Sequence, residues 1–335
     1  MQQEALFYSS EKNGIRCELC PHHCFIERDK RGICGVRRNV DNVLVTENYG
    51  VVSGLGMDPI EKKPLYHFYP GSHIYSIGSI GCNLKCGFCQ NCDISQTTID
   101  DFLIHKKRLP KELIKTAISH NNNIGIAFTY NEPIIFYEFM HETAVFAKES
   151  LLKTAMISNG FINEKPLAQI IPFIDAFNID LKAFTNEFYK KQTKSRLEPV
   201  LKTLMQIKTA GKHLEITNLV IPSLNDSIKD FQEMVYWIVD NLGYDTVLHL
   251  SRYFPRHKLN LEPTSVERLI ELYNIAKEKL LHVYLGNVSL TIGRDTRCHK
   301  CGALLIERLG YQINIVGLTE NGHCRACGEF ILSYI

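Results

Sequence analysis

Twelve cysteines fall into three groups of four, and none lies outside them: Cys17, Cys20, Cys24 and Cys34; Cys82, Cys86, Cys89 and Cys92; Cys298, Cys301, Cys324 and Cys327. Cysteines serving only as small core hydrophobes would not partition in this way. In the middle group Cys82, Cys86 and Cys89 spell C-x3-C-x2-C. Three thiolates on one loop can hold three corners of a four-iron cluster and leave the fourth iron open to a ligand. Cys86, Cys89 and Cys92 also spell C-x2-C-x2-C, the opening of a bacterial ferredoxin run. That run lacks its fourth ligand here, because position 96 is Gln and no Pro follows. A zinc tetrahedron is the other reading of four neighbouring thiols. The last group is two C-x2-C pairs flanking a strand-forming stretch over 303–316, which points to a structural zinc ribbon that staples the fold. A rubredoxin-type iron has the same geometry, and docking of a partner or nucleic acid is the functional alternative. The first group, C-x2-C-x3-C-x9-C, has His22 and His23 within it as further donors and suits either a zinc knuckle or an auxiliary iron–sulfur cluster.

Composition sets the surroundings of these thiols. The chain has 335 residues, with 38 Lys and Arg against 36 Asp and Glu, a formal charge of +2. A balance so close to zero argues against a general polyanion binder. No apolar run resembles a signal peptide or approaches the roughly 18 residues of a membrane span. A cytoplasmic, reducing location is therefore expected, in which cysteines serve metals rather than disulfides.

The elements that must position the middle group read as alternating strands and helices. Strands are expected over 73–80, 124–129, 154–158, 176–181, 213–221, 246–251 and 282–285. Helices are expected over 110–120 (Pro at its start), near 134–149, and over 164–171, 197–210, 227–242 and 265–281. Such alternation predicts a parallel sheet. The fold class is α/β, a partial (β/α)6 TIM-like barrel, with a doubly wound open sheet as the alternative. Three units follow: an N-terminal four-cysteine extension over 1–72, a barrel over 73–290 and a C-terminal zinc-ribbon-like module over 291–335. Residues 57–71, rich in Pro and aromatics, read as a strap between extension and barrel. The C-x3-C-x2-C loop follows the first expected strand, on the barrel face where active sites lie.

Other polar residues gather at the ends of the expected strands. Glu132 can accept from an amine, and Asn131 both donates and accepts; the bland reading of Asn131-Glu132-Pro133 is a helix start. Asp180 and Lys182 lie two apart and face one side, as a ligand-binding pair or as a strand-end salt network. His249 and Ser251 share one face of their strand, and Arg252 occupies the other, within reach of a carboxylate from the loop.

With Phe88 before its third cysteine, the C-x3-C-x2-C loop resembles the signature of radical S-adenosylmethionine (SAM) enzymes. Further similarities follow along the chain: Tyr130-Asn131-Glu132-Pro133, Ser158-Asn159-Gly160, Asp180 and Lys182 in the Asn-Ile-Asp-Leu-Lys stretch of pyruvate formate-lyase activating enzymes, and the turn from Val220 to Asn225 and Asp226. Residues 59–68, Pro70-Gly71, Cys89-Gln90-Asn91, residues 251–255 and residues 284–288 look like the AmmeMemoRadiSam system radical SAM enzymes, and the likeness covers about residues 15–330. Cys92 departs from the pattern. The resemblance implies a [4Fe-4S] cluster on Cys82, Cys86 and Cys89, SAM cleaved reductively to a 5′-deoxyadenosyl radical, and hydrogen abstraction from a substrate. It implies that Asn131 and Glu132 hold the methionine end, that Ser158, Asn159, Gly160, Val220 and Asn225 hold ribose and adenine, and that a flavodoxin or ferredoxin supplies electrons. The substrate is either a glycine in a partner protein, as for glycyl-radical-enzyme activases, or a small molecule, with Memo-like and AMMECR-like proteins as partners. A non-catalytic metal-binding or electron-transfer protein is the reading from another class.

Overall fold

A computed structural model describes residues 3–102 and 107–335. Its centre is one eight-stranded sheet: β1 (Gly54–Pro59), β2 (His73–Gly78), β3 (Asn123–Phe128), β4 (Lys153–Ser158), β5 (Ala176–Asp180), β6 (His213–Val220), β7 (Val247–Arg252) and β8 (Val283–Gly286). Spatial order follows chain order from β1 to β8, which become the two edges. β1 and β2 pair antiparallel and all later neighbours pair parallel. An order without reversal excludes the doubly wound alternative, which needs a switch point. The sheet has seven parallel strands, matching the seven expected, joined by six helical connections.

β1 is a strand that the sequence reading did not assign. Its Gly-Leu-Gly-Met-Asp-Pro composition is unusual for a strand, and it spans the join between the expected extension and the strap over 57–71. The glycines have a packing cause. The Tyr130 side chain lies over them: a Cβ on Gly54 would stand 3.3 Å from its ring and one on Gly56 3.2 Å from its hydroxyl, while a Cβ on the neighbouring Gly78 of β2 would stand 2.8 Å from the ring. The Tyr130 hydroxyl donates to Asp58, which also accepts from Lys62 and Lys63.

Six helices connect the parallel strands: α1 (Pro110–Ser119), α2 (Tyr137–Glu149), α3 (Glu164–Ile170), α4 (Leu197–Thr209), α5 (Ile228–Leu242) and α6 (Val266–Lys277). Ser227 and Ser265 cap α5 and α6 by accepting from Asp230 N and Arg268 N. The buried faces of the helices and the strands form the main core. No helix among the described residues is long and apolar enough to cross a membrane.

The floor of the sheet is closed by a polar plug. The Glu215 carboxylate on β6 is fully buried and accepts from the backbone N–H groups of Tyr66 and His67 in the strap. It also meets the rings of His213 (2.8 Å) and His249 (2.6 Å). His67 contacts the Tyr284 hydroxyl at 2.6 Å, Tyr284 contacts Thr296, and Arg308 donates to Thr296 and to the Tyr66 carbonyl. Strap, sheet floor and C-terminal module are thus joined by one network.

The N-terminal extension holds two small antiparallel sheets. Tyr8–Glu11, Gly14–Cys17 and Phe25–Glu27 make one; Gln3–Glu4, Val43–Thr46 and Arg37–Val40 make the other. The buried Arg37 guanidinium pairs with Glu138 on α2 and donates to the Leu6 carbonyl, which ties the extension to the central α/β unit. The C-terminal module is a third antiparallel sheet, Thr296–Arg297, Leu304–Leu309 and Gln312–Ile315, with a core of its own.

Burial works to raise the Glu215 carboxyl, but its bonds to His213 and His249 hold it well below the ordinary range. A depressed carboxyl contributes stability above its unfolded value of about 4.3, and that contribution is lost as pH falls below it. Replacing Glu215→Ala should cost about 3–5 kcal/mol by stranding two imidazoles and two N–H groups. Denaturant midpoints from pH 7 to pH 3 should fall less steeply with acid in Glu215→Gln than in the parent; equal slopes would remove the carboxylate from the explanation.

Candidate active site

A cavity of about 250 Å³ opens at the C-terminal ends of the parallel strands. Cys82, Cys86 and Cys89, on the loop after β2, line one side. Asn131 and Glu132 after β3, Asn159 after β4, and Asp180 and Lys182 from the end of β5 line the other. Parallel βα units place every such loop on one face, so residues about 100 apart in sequence meet there.

The cysteine loop is irregular and buried, so its backbone groups need partners from outside it. Gly81 N donates to Ile94 O, Lys85 N to Thr193 O and Gly87 N to Gln192 O. Lys258 N donates to Gly87 O, and Asn131 Nδ2 to Gly81 O at 2.9 Å. Asn131 also accepts from Ser79 N, so both ends of its amide brace the turn that leads into Cys82. Asn159 Nδ2 donates to Asn83 Oδ1 at 2.8 Å and lies 3.7 Å from Cys82 Sγ. Leu84 N donates to Cys82 Sγ at 3.3 Å, and the Ser95 hydroxyl lies 3.0 Å from Cys89 Sγ.

The electrostatics of the cavity are lopsided. Burial, with Glu132 and Cys86 nearby, pushes the Cys82 thiol well up. Burial pushes Cys86 to about 12, although Lys182 works in the opposite direction. Burial also raises Glu132 to about 7, against three donors: Ile134 N, the Ser158 hydroxyl and Asn159 N. Asp180 and Lys182 pair at 2.7 Å, and Asp180 holds Lys182 protonated despite burial. One lysine faces three thiols and two carboxyls. Two buried sulfurs and a half-buried third, converging on one cavity, become stable thiolates only with positive charge beside them, which a metal cluster brings. The donor set therefore fits an iron–sulfur cluster.

Not every residue singled out from sequence reaches the cavity. Ser158 sits behind it, bonded to Glu132. Gly160, Val220, Asn225 and Arg252 lie outside its lining. Gly160 has φ +68°, and a Cβ there would stand 2.8 Å from Ile179. Asn225 braces loops, accepting from Ile221 N and donating to the carbonyls of Lys182 and Leu219. Arg252 donates to the Thr264 carbonyl. Cys92 opens the short helical turn Cys92–Ser95 and does not line the cavity. Tyr130, Thr217, Leu219 and Asn287 do line it, and no residue-type signal had marked them as ligands. Strand alternation had set Ser251 on the face opposite Arg252, and Ser251 too lines the cavity.

The C-terminal cysteines form a second candidate site. Cys298 and Cys327 sulfurs lie 3.5 Å apart, Cys301 and Cys324 sulfurs 3.7 Å apart, and all four lie within 4.8 Å of one another. A tetrahedral ion with metal–sulfur bonds of about 2.3 Å sets its ligands about 3.8 Å apart, so one ion fits. Each pair is a knuckle: Gly302 N donates to Cys298 O and Gly328 N to Cys324 O, both at 2.9 Å, and both glycines have φ +75°. Only glycine adopts that backbone at little cost.

The Radical SAM superfamily model matches residues 76–235. An uncharacterized protein of Methanocaldococcus jannaschii is 44% identical over 98% of each chain. The pyruvate formate-lyase-activating enzyme of Clostridium pasteurianum is 25% identical over 61% of this chain and 87% of its own. Among solved structures, a radical SAM methyltransferase from Sphaerobacter thermophilus is similar with a TM-score of 0.51, covering 65% of this chain and 67% of that one at 14% identity, a likeness of fold.

Replacing Cys298→Ser together with Cys324→Ser should remove one equivalent of single-ion metal per chain and lower the melting temperature. Plasma emission metal analysis beside a thermal scan checks both, and unchanged metal content would move the ion elsewhere.

Proposed function

The chain belongs to the radical SAM superfamily, and on that premise we propose that it cleaves SAM reductively and abstracts hydrogen from a substrate. The observation that carries this reading is the convergence of Cys82, Cys86 and Cys89 with Glu132, Asn159, Asp180 and Lys182 on one cavity. When bound, a [4Fe-4S] cluster supplies the single electron that cleaves SAM to methionine and a 5′-deoxyadenosyl radical.

The residues of the chain divide the remaining work. Cys82, Cys86 and Cys89 would anchor the cluster and leave one of its corners open for SAM. Glu132 Oε2 accepts one backbone N–H and retains capacity for an amino group. Asn131 and Asn159 hold the cysteine loop in place rather than the methionine end itself. Lys182 offers the cavity its one cationic side chain and is suited to a carboxylate, while Asp180 fixes its position. Thr217, Leu219, Ser251 and Asn287 line the remainder, where ribose, adenine and substrate would lie.

Residues 73–290 serve as the catalytic unit, the open sheet acting as a partial barrel, and 291–335 as a zinc ribbon that staples the floor. Residues 1–72 form the metal-bearing extension. The names of related activating enzymes favour a partner protein as substrate, with abstraction from a glycine. Anaerobic incubation with SAM and reductant should give 5′-deoxyadenosine, and deuterium from a glycine-labelled partner should appear in it. Cys82→Ala, Cys86→Ala and Cys89→Ala should each reduce its formation to background; wild-type turnover in any of them would sink the cluster assignment.

Glu132 adds a pH dependence. Its carboxyl, raised to about 7, accepts more strongly from the N–H bonds of the SAM amino group once ionised, so SAM should bind more tightly as pH rises from 6 to 8. Glu132→Gln should flatten that profile and weaken binding about tenfold. Equilibrium binding to the cluster-loaded protein measures both, and a persisting pH profile in the variant would assign the titration to another group.

A further inference from the structure

We propose that Cys17, Cys20, Cys24 and Cys34 hold a second iron–sulfur cluster, and that electrons pass from it to the cavity through His22 and Asn83. The acceptor end of this route rests on the reading of the cavity given above.

The first observation is where the group sits. Cys17, Cys20 and Cys34 are buried in the same continuous core as Cys82 and Cys86, whereas the C-terminal cysteines occupy a small core of their own. The second is sulfur spacing. Among the described residues, the C-terminal four are the group whose donor atoms all close to within 4.8 Å. The N-terminal four do not close to within that distance of one another. A four-iron cube holds its thiolates farther apart than one ion does and takes four cysteines. The third is Arg37, whose fully buried guanidinium donates to Cys17 Sγ at 3.8 Å. A hydrogen bond and a positive charge beside the ligand sulfurs are means by which a protein sets a cluster's potential.

The route is short. His22 lies between Cys20 and Cys24, and its Nε2 is 2.7 Å from the carbonyl oxygen of Asn83, the residue after Cys82. The Cys34 carbonyl packs against Gly81, the residue before Cys82, so closely that a Cβ there would stand 2.7 Å from it. The His22 ring meets Phe161 edge-on at 5.0 Å, and Phe161 O accepts from Asn83 Nδ2 at 2.8 Å. The two cysteine groups therefore touch on both sides of Cys82. Cys24 is the ligand of the N-terminal group nearest solvent, while SAM in the cavity would cover Cys89. An electron from outside then enters at the extension. Each transfer takes one electron from a low-potential one-electron protein donor, oxidises that donor by one, and passes the electron on; no bond forms or breaks at the extension.

The test uses the full chain, reconstituted anaerobically. Wild type should carry about eight iron and eight sulfide, and both Cys82→Ala/Cys86→Ala/Cys89→Ala and Cys20→Ser/Cys24→Ser should carry about four. Zinc in place of iron in the first variant overturns the second cluster. His22→Leu should keep all its iron and lose reduction of the cavity cluster by flavodoxin about tenfold or more, while reduction by titanium(III) citrate stays within about twofold. His22→Gln, which can still donate to Asn83, should recover most of the flavodoxin rate. Equal losses with both reductants overturn the route. Reduction is followed by paramagnetic resonance without SAM. A chain that loads eight iron and relays electrons but yields no 5′-deoxyadenosine refutes the activity and leaves the relay standing.

Discussion

An irregular loop buried in a protein is stable only if every backbone N–H and carbonyl finds a partner, and the loop carrying Cys82, Cys86 and Cys89 imposes that demand here. The partners come from all around the fold. Thr193 and Gln192 accept from it at the end of a wide helical turn, Tyr189–Thr193, and Lys258 donates from the segment after β7. Asn131 reaches it from the β3 loop, Asn159 from the β4 loop and His22 from the extension. These segments are far apart in sequence and have little regular structure of their own. Their positions follow from a sheet that delivers every loop to the same face, so sheet order comes first and the cysteine loop is completed from it.

The two flanking cysteine groups answer different needs. The C-terminal module has few buried apolar residues, and its knuckles bring four sulfurs to single-ion distances, as expected of a small unit that needs a metal to complete its folding. The extension needs no such staple. Its strands already share the main core, and the Arg37–Glu138 pair anchors it to α2. A metal there is surplus to folding and adjacent to Cys82, which is a reason to look for a chemical role.

Much of this was legible in sequence, for physical reasons. Parallel strands buried on both faces read as apolar runs, and seven of them were found within a residue or two at most ends. Cysteine spacing marks metal sites because the ligands are local in sequence. What escaped depends on distant partners. β1 went unassigned because its glycines accommodate a tyrosine about 75 residues away. Asn225 looked like a ligand, yet its amide holds the Lys182 carbonyl. The strap was noticed for its aromatics, but nothing local tells that its N–H groups meet Glu215. Alternation correctly set Arg252 on the opposite face from Ser251, and the structure puts Ser251 on the cavity and Arg252 outside it.

Two buried glutamates in the central α/β unit show how environment separates structure from chemistry. Glu215 and Glu132 are each surrounded by hydrogen-bond donors from the chain itself. Glu215 has two imidazoles among its partners, and its carboxyl is held well down. Glu132 has only neutral donors, two N–H groups and a hydroxyl, and burial takes it up to about 7. A carboxylate that its own chain leaves without a cation, at the mouth of a cavity lined by three thiols, is best satisfied by charge arriving from outside. The floor satisfies its acid with donors of its own chain and holds the fold together; on the proposed reading, the upper face leaves Glu132 for an amino group that the cofactor brings.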